Sequence, residues 1–147
     1  MIKLIWTVLC LRSIVDKSSN NVSLIDVLEE VKLEQVIPRN KVESPILVPF
    51  PFYWVTLWAR REDGRPGRGQ VKDVIMSPSG KTVRESEYEV DLSKYKRYRF
   101  MRRLDGLPVG ESGQYKFRTQ VKDEKLGIWE DASVVPLEIS IETREAT

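Results

Sequence analysis

Three glutamates alternate in the stretch RESEYEV: Glu85, Glu87 and Glu89. On a strand, residues two apart stand about 6.6 Å from one another on one face, near the carboxyl separation of an inverting glycosidase. The chemistry such a pair supports is proton transfer to and from a glycosidic oxygen and a water. The same spacing also describes a solvated strand face, with Tyr88 and Val90 directed inward, and nothing around it strengthens the catalytic reading. The chain has no histidine. That removes the commonest general base, the usual partner of a serine or cysteine nucleophile and the commonest nitrogen ligand of zinc. A phosphate-cradling glycine loop, a CxxC pair and a G-x-S-x-G elbow are absent as well. The sequence reads as non-enzymatic, with no cofactor and no metal.

A second stretch, KYKRYRFMRR (Lys94 to Arg103), mixes basic and aromatic residues in the way that grips phosphates and stacks bases. Strand alternation divides it. Lys96, Tyr98, Phe100, Arg102 and Leu104 share one face, and Arg97, Arg99, Met101 and Arg103 the other. With Tyr98, Phe100 and Leu104 in the core, Arg97, Arg99 and Arg103 form an exposed row. The loop ARREDGRPGRGQVK adds Arg60, Arg61, Arg65, Arg68 and Lys72 against Glu62 and Asp63. If the two stretches meet, they form one basic patch for nucleic acid or an acidic partner. Otherwise they are solvated faces with ion pairs, and the row guards a strand edge against aggregation. With 24 basic and 22 acidic residues, the net charge of +2 is too small to steer the whole molecule, so any such attraction is local.

PFYWVTLWAR is apolar on both faces, which places it centrally in a sheet. Tyr53, Val55, Leu57 and Ala59 share one face; Phe52, Trp54, Thr56 and Trp58 share the other. Only one face of a sandwich strand meets the core. If the first set is internal, Trp54 and Trp58 stand outside, about 13 Å apart, as partner-binding anchors. If the second set is internal, both tryptophans are core. The acidic loop residues Asp16, Glu62, Asp63, Asp123, Glu124, Glu130 and Asp131 do not build a calcium site by spacing: only the last group is dense, and Lys122 and Lys125 interrupt it.

The elements that would position these residues are short β-branched and aromatic runs separated by the turn clusters DKSSNN, REDGRPGRG, SPSG and GLPVGESG. The expected strands are Ile2 to Val15, Val22 to Val31, Phe52 to Arg61, Val71 to Met76, Glu85 to Asp91, Tyr98 to Leu104, Gln114 to Lys122, Lys125 to Glu130 and Val134 to Glu142. Leu24, Val27, Leu28 and Val31 also fit a helical stripe; a strand is favoured because DKSSNN makes a hairpin loop, with Asn20 and Asn21 suited to left-handed conformations. The proline-bearing segment Ile37 to Pro51 is expected to be an irregular crossing between sheets. At 147 residues the chain is about one domain long. It reads as a single all-β domain over residues 1–147, an antiparallel two-sheet β-sandwich, immunoglobulin-like or C2-like.

The most specific pattern is LDGLPVGESGQYKF, containing Leu104, Leu107, Glu111, Gly113, Tyr115 and Phe117. It resembles the E-to-F region of immunoglobulin-like domains, where an acid, a glycine and a tyrosine alternate before the F-strand cysteine. The resemblance implies a tyrosine corner at Tyr115, with its hydroxyl bonded back to the preceding loop. It also implies a disulfide-free relative, in which Phe117 occupies the cysteine position and a strand-C-like tryptophan, Trp54 or Trp58, fills the core. The combination LCLRSIVDKSSNNVSLIDVLEEV, PFPFYWVTLWARRED, GQYKFRTQV and VPLEISI is also similar to a family of uncharacterised bacterial proteins. That resemblance implies fold and compartment only.

The opening MIKLIWTVLCL fits a secretion signal loosely, but Thr7, Leu9, Leu11 and Arg12 offer no small-residue cleavage site, and Leu9 before Cys10 does not suit a lipid anchor. It reads as the first strand, with Cys10 a buried apolar residue. Since Cys10 is the only cysteine, no internal disulfide can form, as expected in the cytoplasm. The expected function is a binding or assembly module, acting through protein–protein interaction or homo-oligomerisation at the aromatic strand or an open sheet edge. The alternative is nucleic-acid or acidic-partner binding through the basic patch; no membrane association is expected.

Overall fold

Period-two alternation of apolar and polar side chains sets the architecture, because each strand can bury one face against a second sheet. A computed structural model of the chain describes residues 1–37, 46–122 and 125–145. These form β1 (Ile2–Val15), β2 (Val22–Val27), β3 (Glu30–Ile37), β4 (Ile46–Arg60), β5 (Gly67–Met76), β6 (Thr82–Leu92), β7 (Arg97–Val109), β8 (Gly113–Lys122) and β9 (Trp129–Glu145). One sheet has the order β2-β1-β4-β7 and the other β3-β9-β8-β5-β6. Every pairing is antiparallel except β3 with β9. The two sheets form a β-sandwich. In immunoglobulin lettering β4 and β7 stand at B and E, β5, β8 and β9 at C, F and G, and β6 is the added C′. Among the described residues no helix is long and apolar enough to cross a membrane.

The first strand runs over the expected residues and lies inside its sheet, between β2 and β4. The segment expected as one strand from Val22 to Val31 divides in two. Asp26, at φ 58°, breaks the ladder, and the chain then leaves the first sheet: Leu28 N donates to Leu9 O, and Glu138 N of β9 donates to Glu29 O. The proline-bearing crossing is also corrected. Residues 46–51 belong to β4 and face Val109 to Gly106 of β7; Pro49 sits opposite Gly106, where the register slips before Phe52. An irregular rung tolerates the missing donor. Residues 38–45 of that segment lie outside the described residues. Residues 106–109 of GLPVG, expected as a turn, supply the far end of β7, and Pro108 is tolerated there because β7 is the edge of its sheet. The expected strand Lys125 to Glu130 shrinks to a turn over residues 125–128, and β9 starts at Trp129 and continues without a break.

The core is two apolar clusters. One surrounds Trp54, Phe52, Leu104, Tyr115, Phe117 and Leu137; the other surrounds Trp58, Ile2, Val71, Val90 and Leu92. The Glu-x-Gly-x-Tyr-x-Phe pattern anchors the first. The Tyr115 hydroxyl donates to Glu111 O at 2.7 Å, the tyrosine corner that the sequence pattern implies. The Glu111 carboxylate accepts from Ser79 N at 3.1 Å and Ser79 Oγ at 2.6 Å, which clamps the loop to the β5–β6 turn and holds the Glu111 carboxyl below its usual range. Gly113, at φ 139°, takes a conformation that side chains rarely adopt, and a Cβ there would strike Pro78 at 2.8–2.9 Å. Replacing Tyr115 with Phe leaves Glu111 O without its donor, and the expected loss is about 1 kcal/mol in urea unfolding at unchanged m-value. An unaltered midpoint would mean that the corner contributes nothing.

Candidate functional site

β4 decides what faces in and what faces out. Phe52, Trp54, Thr56 and Trp58 point toward the second sheet, and Trp54 and Trp58 are 2% and 0% exposed. The partner-binding role expected of these two tryptophans is therefore corrected: both are core, because the indole bulk closes the space between sheets. Nor do they lie on the C-like strand. Trp54, on the B-like strand, meets the Phe117 ring edge-on at 5.1 Å and 81°, and its indole N–H donates to Thr7 Oγ1 at 3.0 Å. Trp58 Nε1 donates to Thr56 Oγ1 at 3.2 Å and to the Tyr88 hydroxyl at 3.3 Å.

Between the two apolar clusters runs a polar layer. On β4, Thr56 separates Trp54 from Trp58; on β5, Asp73 separates Ile75 from Val71; on β8, Thr119 separates Phe117 from Val121. Arg102 reaches in from β7 and places Nη2 at 3.3 Å from Asp73 Oδ2. Its guanidinium lies 5.0 Å from the Phe100 ring centroid and 5.8 Å from that of Tyr88, and those two rings stack at 4.1 Å. Burial pushes the Asp73 carboxyl up to about 6, against the opposing pull of the Arg102 charge. Burial and the neighbouring Asp73 charge raise the Tyr88 hydroxyl, so it stays a neutral hydrogen-bonding group. Asp73 Oδ1 and Arg102 Nε are buried with no hydrogen-bond partner among the described residues, and the Thr119 hydroxyl beside the Asp73 carboxyl draws its pKa down. Alternation places Arg102 on the inward face, but only the contact between sheets reveals its partner.

The outer face of the first sheet carries Tyr53, Val55, Leu57 and Ala59 from β4, with Trp6, Val8 and Cys10 of β1 beside them in register. Arg99 on β7 donates to Asn20 O at 3.2 Å and to Asn20 Oδ1 at 3.4 Å. Asn20 lies in the β1–β2 loop, so this contact draws the hairpin from one edge of the sheet across its outer face to the other. Coverage by the hairpin accounts for the complete burial of Val55 and Cys10, neither of which faces the second sheet. That burial raises the Cys10 thiol pKa, which keeps it protonated and a poor nucleophile.

Beyond the hairpin the apolar face is open. A shallow groove of 560 Å³ has Ile5, Trp6, Leu57 and Ala59 in its floor. Ile5, lifted by the β1 bulge between Leu4 and Trp6, is 46% exposed. Lys3, Arg60, Lys96 and Arg97 border the groove, together with Asp63, and none of the four cations makes an ion pair among the described residues.

The structure does not gather the eight basic residues into one patch. Arg60 donates to Leu92 O at 2.9 Å and Ser93 O at 3.3 Å, tying the two sheets together. Arg61 turns to the chain start, its Nη1 at 3.5 Å from Met1 Sδ, and Arg65 pairs with Glu62 at 3.2 Å. Arg68 and Lys72 stand on the outer face of the second sheet, opposite the glutamate row. Arg68 meets Asp91 at 3.1 Å; Lys72 meets Glu85 at 3.5 Å and Glu87 at 3.8 Å, with its ammonium 4.3 Å from the Trp129 ring centroid; Gln70 donates to Glu89 at 3.3 Å. Arg97, Arg99 and Arg103 lie on the opposite face of the molecule, where Arg103 pairs with Asp105 at 3.1 Å. The glutamates are thus cross-strand partners of the basic residues of β5.

Among the described residues no group of three or more carboxylates, histidines or cysteines could hold a metal ion. The Asp16 carboxylate is occupied by Ser18 N, Ser18 Oγ and Ser19 N, and Asp131 by Gln120 and Arg118. Asp123 and Glu124 lie outside the described residues. Comparison with known proteins finds no family model and no curated protein that matches the chain.

Proposed function

We propose that this protein is a non-enzymatic binding module that docks a protein partner on the outer face of its four-stranded sheet. The observation that carries the reading is the groove: an apolar floor of Ile5, Trp6, Leu57 and Ala59 with a border of Lys3, Arg60, Lys96 and Arg97 against a single carboxylate, Asp63. A sandwich sheet ordinarily turns polar side chains to water, and exposed apolar surface with a polar border marks interfaces. The charge of that border suits a partner segment that presents carboxylates beside apolar side chains. A lone buried thiol supports a reducing compartment such as the cytoplasm. The nucleic-acid reading has less support, because the basic residues divide between two faces and carboxylates neutralise one of them.

The test pairs Lys3→Glu with Ile5→Glu, both exposed positions, and compares the variant with the wild type in quantitative capture from native extract. The expected result is one or a few proteins depleted about tenfold or more by the substitutions, with circular dichroism unchanged. Recovery of the same proteins in the same amounts by both would overturn the proposal. So would salt-sensitive binding of mixed-sequence DNA that the substitutions abolish, in favour of the nucleic-acid reading.

A further inference from the structure

β6 and β7 are each an edge strand, one from each sheet, and they share one side of the sandwich: they are consecutive in the chain, joined by residues 93–96, and Tyr88 of β6 stacks on Phe100 of β7. The short connection makes them run in opposite directions. Pairing with β5 fixes the outward residues of β6 as Glu85, Glu87, Glu89 and Asp91; pairing with β4 fixes those of β7 as Arg97, Arg99, Met101 and Arg103. One edge is therefore an acidic row and the other a basic row. The acids keep room for a second partner, since the side chains of Glu85 and Glu87 remain 49% and 55% exposed beside Lys72.

We propose that a second copy of this chain docks on this side through a two-fold axis parallel to the strands. Such an axis brings β7 of each copy beside β6 of the other, antiparallel, and merges the first sheet of one copy with the second sheet of its partner. It also turns the outward faces of the two joined sheets the same way. The arginine row of one copy then lies at cross-strand spacing from the glutamate row of the other, twice over, in a closed isologous interface. On this side of the sandwich the same charges disfavour the like pairings: β7 with β7 sets arginines against arginines, and β6 with β6 sets glutamates against glutamates. The association uses backbone groups at the two edges, and the charges select the partner strand.

The test is a charge swap read by light-scattering mass and sedimentation over a concentration series. One variant carries Arg97→Glu with Arg103→Glu; another carries Glu85→Lys with Asp91→Lys, the acids that stand level with those arginines when Tyr88 lies over Phe100, so each variant alone sets like charges against each other at both positions. The wild type is expected to associate to twice its mass, and each variant alone to associate about tenfold or more weakly. An equimolar mixture of the two variants is expected to recover the dimer, because each introduced glutamate then faces an introduced lysine and the unaltered rows face each other at the second contact. A folded variant that recovers its dimer only in the mixture excludes misfolding as the cause. A wild type that stays monomeric throughout, variants that dimerise alone, or a mixture that stays monomeric would each overturn the proposal. Arg97 also borders the groove; the variant with lysines on β6 leaves the groove intact, so a failure of this dimer is distinguishable from a failure of partner docking there.

Discussion

Replacing Arg102 with methionine is expected to cost about 3–5 kcal/mol of folding free energy near pH 8 and clearly less near pH 5. Asp73 is 3% exposed, and Arg102 is its only ion-pair partner among the described residues. Removing the guanidinium leaves a buried carboxylate with only the Thr119 side chain to offset its lost hydration, and breaking a buried pair in that way is strongly destabilising. The sign of the pH dependence follows from the direction of the shift. The carboxyl ordinarily titrates at 3.8 and is raised to about 6 in the folded protein, so the native state holds a proton that the unfolded state has released. Stability from this group is highest at low pH and falls as pH rises through that window. Without the Arg102 charge the folded value moves higher still, and the variant continues to lose stability at pH values where the wild type has levelled off. Asp16, Asp91 and Glu111 are shifted the opposite way, each first by a side-chain hydrogen bond from serine, and they lose stability as pH falls. The difference between variant and wild type cancels that background. Urea unfolding of both proteins from about pH 5 to pH 9 measures it, and parallel curves would show that the ion pair does not couple to folding.

The pair need not be the most stable filling of that layer. Asp73→Leu with Arg102→Met removes both charges and the unpartnered Asp73 Oδ1, Arg102 Nε atoms together, and is expected to fold as well as the wild type or better, by up to about 4 kcal/mol. The polar layer would then serve specificity: it fixes how the two sheets face each other, because only one offset puts Arg102 opposite Asp73.

Particular residues show why some of this was legible in the sequence. The Tyr115 pattern was readable because a tyrosine corner is local: hydroxyl and acceptor are four residues apart. β4 was placed centrally because both its faces are apolar, but that same property hid which face is core. Only the hairpin contact at Asn20 explains how an outer residue such as Val55 can be fully buried. The division between β2 and β3 was not readable, since apolar residues run through both and the break depends on the backbone of Asp26. Arg102 and Asp73 are 29 residues apart on strands of different sheets, and the glutamate row finds its cations only once the β5–β6 register is fixed. Local chemistry is legible in the chain; pairing over distance is not.

Trp54→Ala is the second large loss expected, about 3–5 kcal/mol, because it empties a fully enclosed site and strands the Thr7 hydroxyl. Immunoglobulin domains pin their sheets at this level with a disulfide between B and F, and this chain, with one cysteine, cannot. The edge-on contact of Trp54 with Phe117 takes that place in the geometry, since β4 is the B-like strand and β8 the F-like one. If the two rings act as the pin, their substitutions must not be independent. Trp54→Ala and Phe117→Ala combined should then cost less than their sum, by about 0.5–1.5 kcal/mol, the coupling expected of an aromatic pair beyond its buried area. Trp54→Phe keeps a ring against Phe117 and loses the bond to Thr7, so its cost should be nearer 1–2 kcal/mol, roughly the indole's volume and one hydrogen bond. Additivity of the two alanine substitutions within about 0.3 kcal/mol would show that the sheets are held by diffuse packing and that no single contact replaces the missing disulfide.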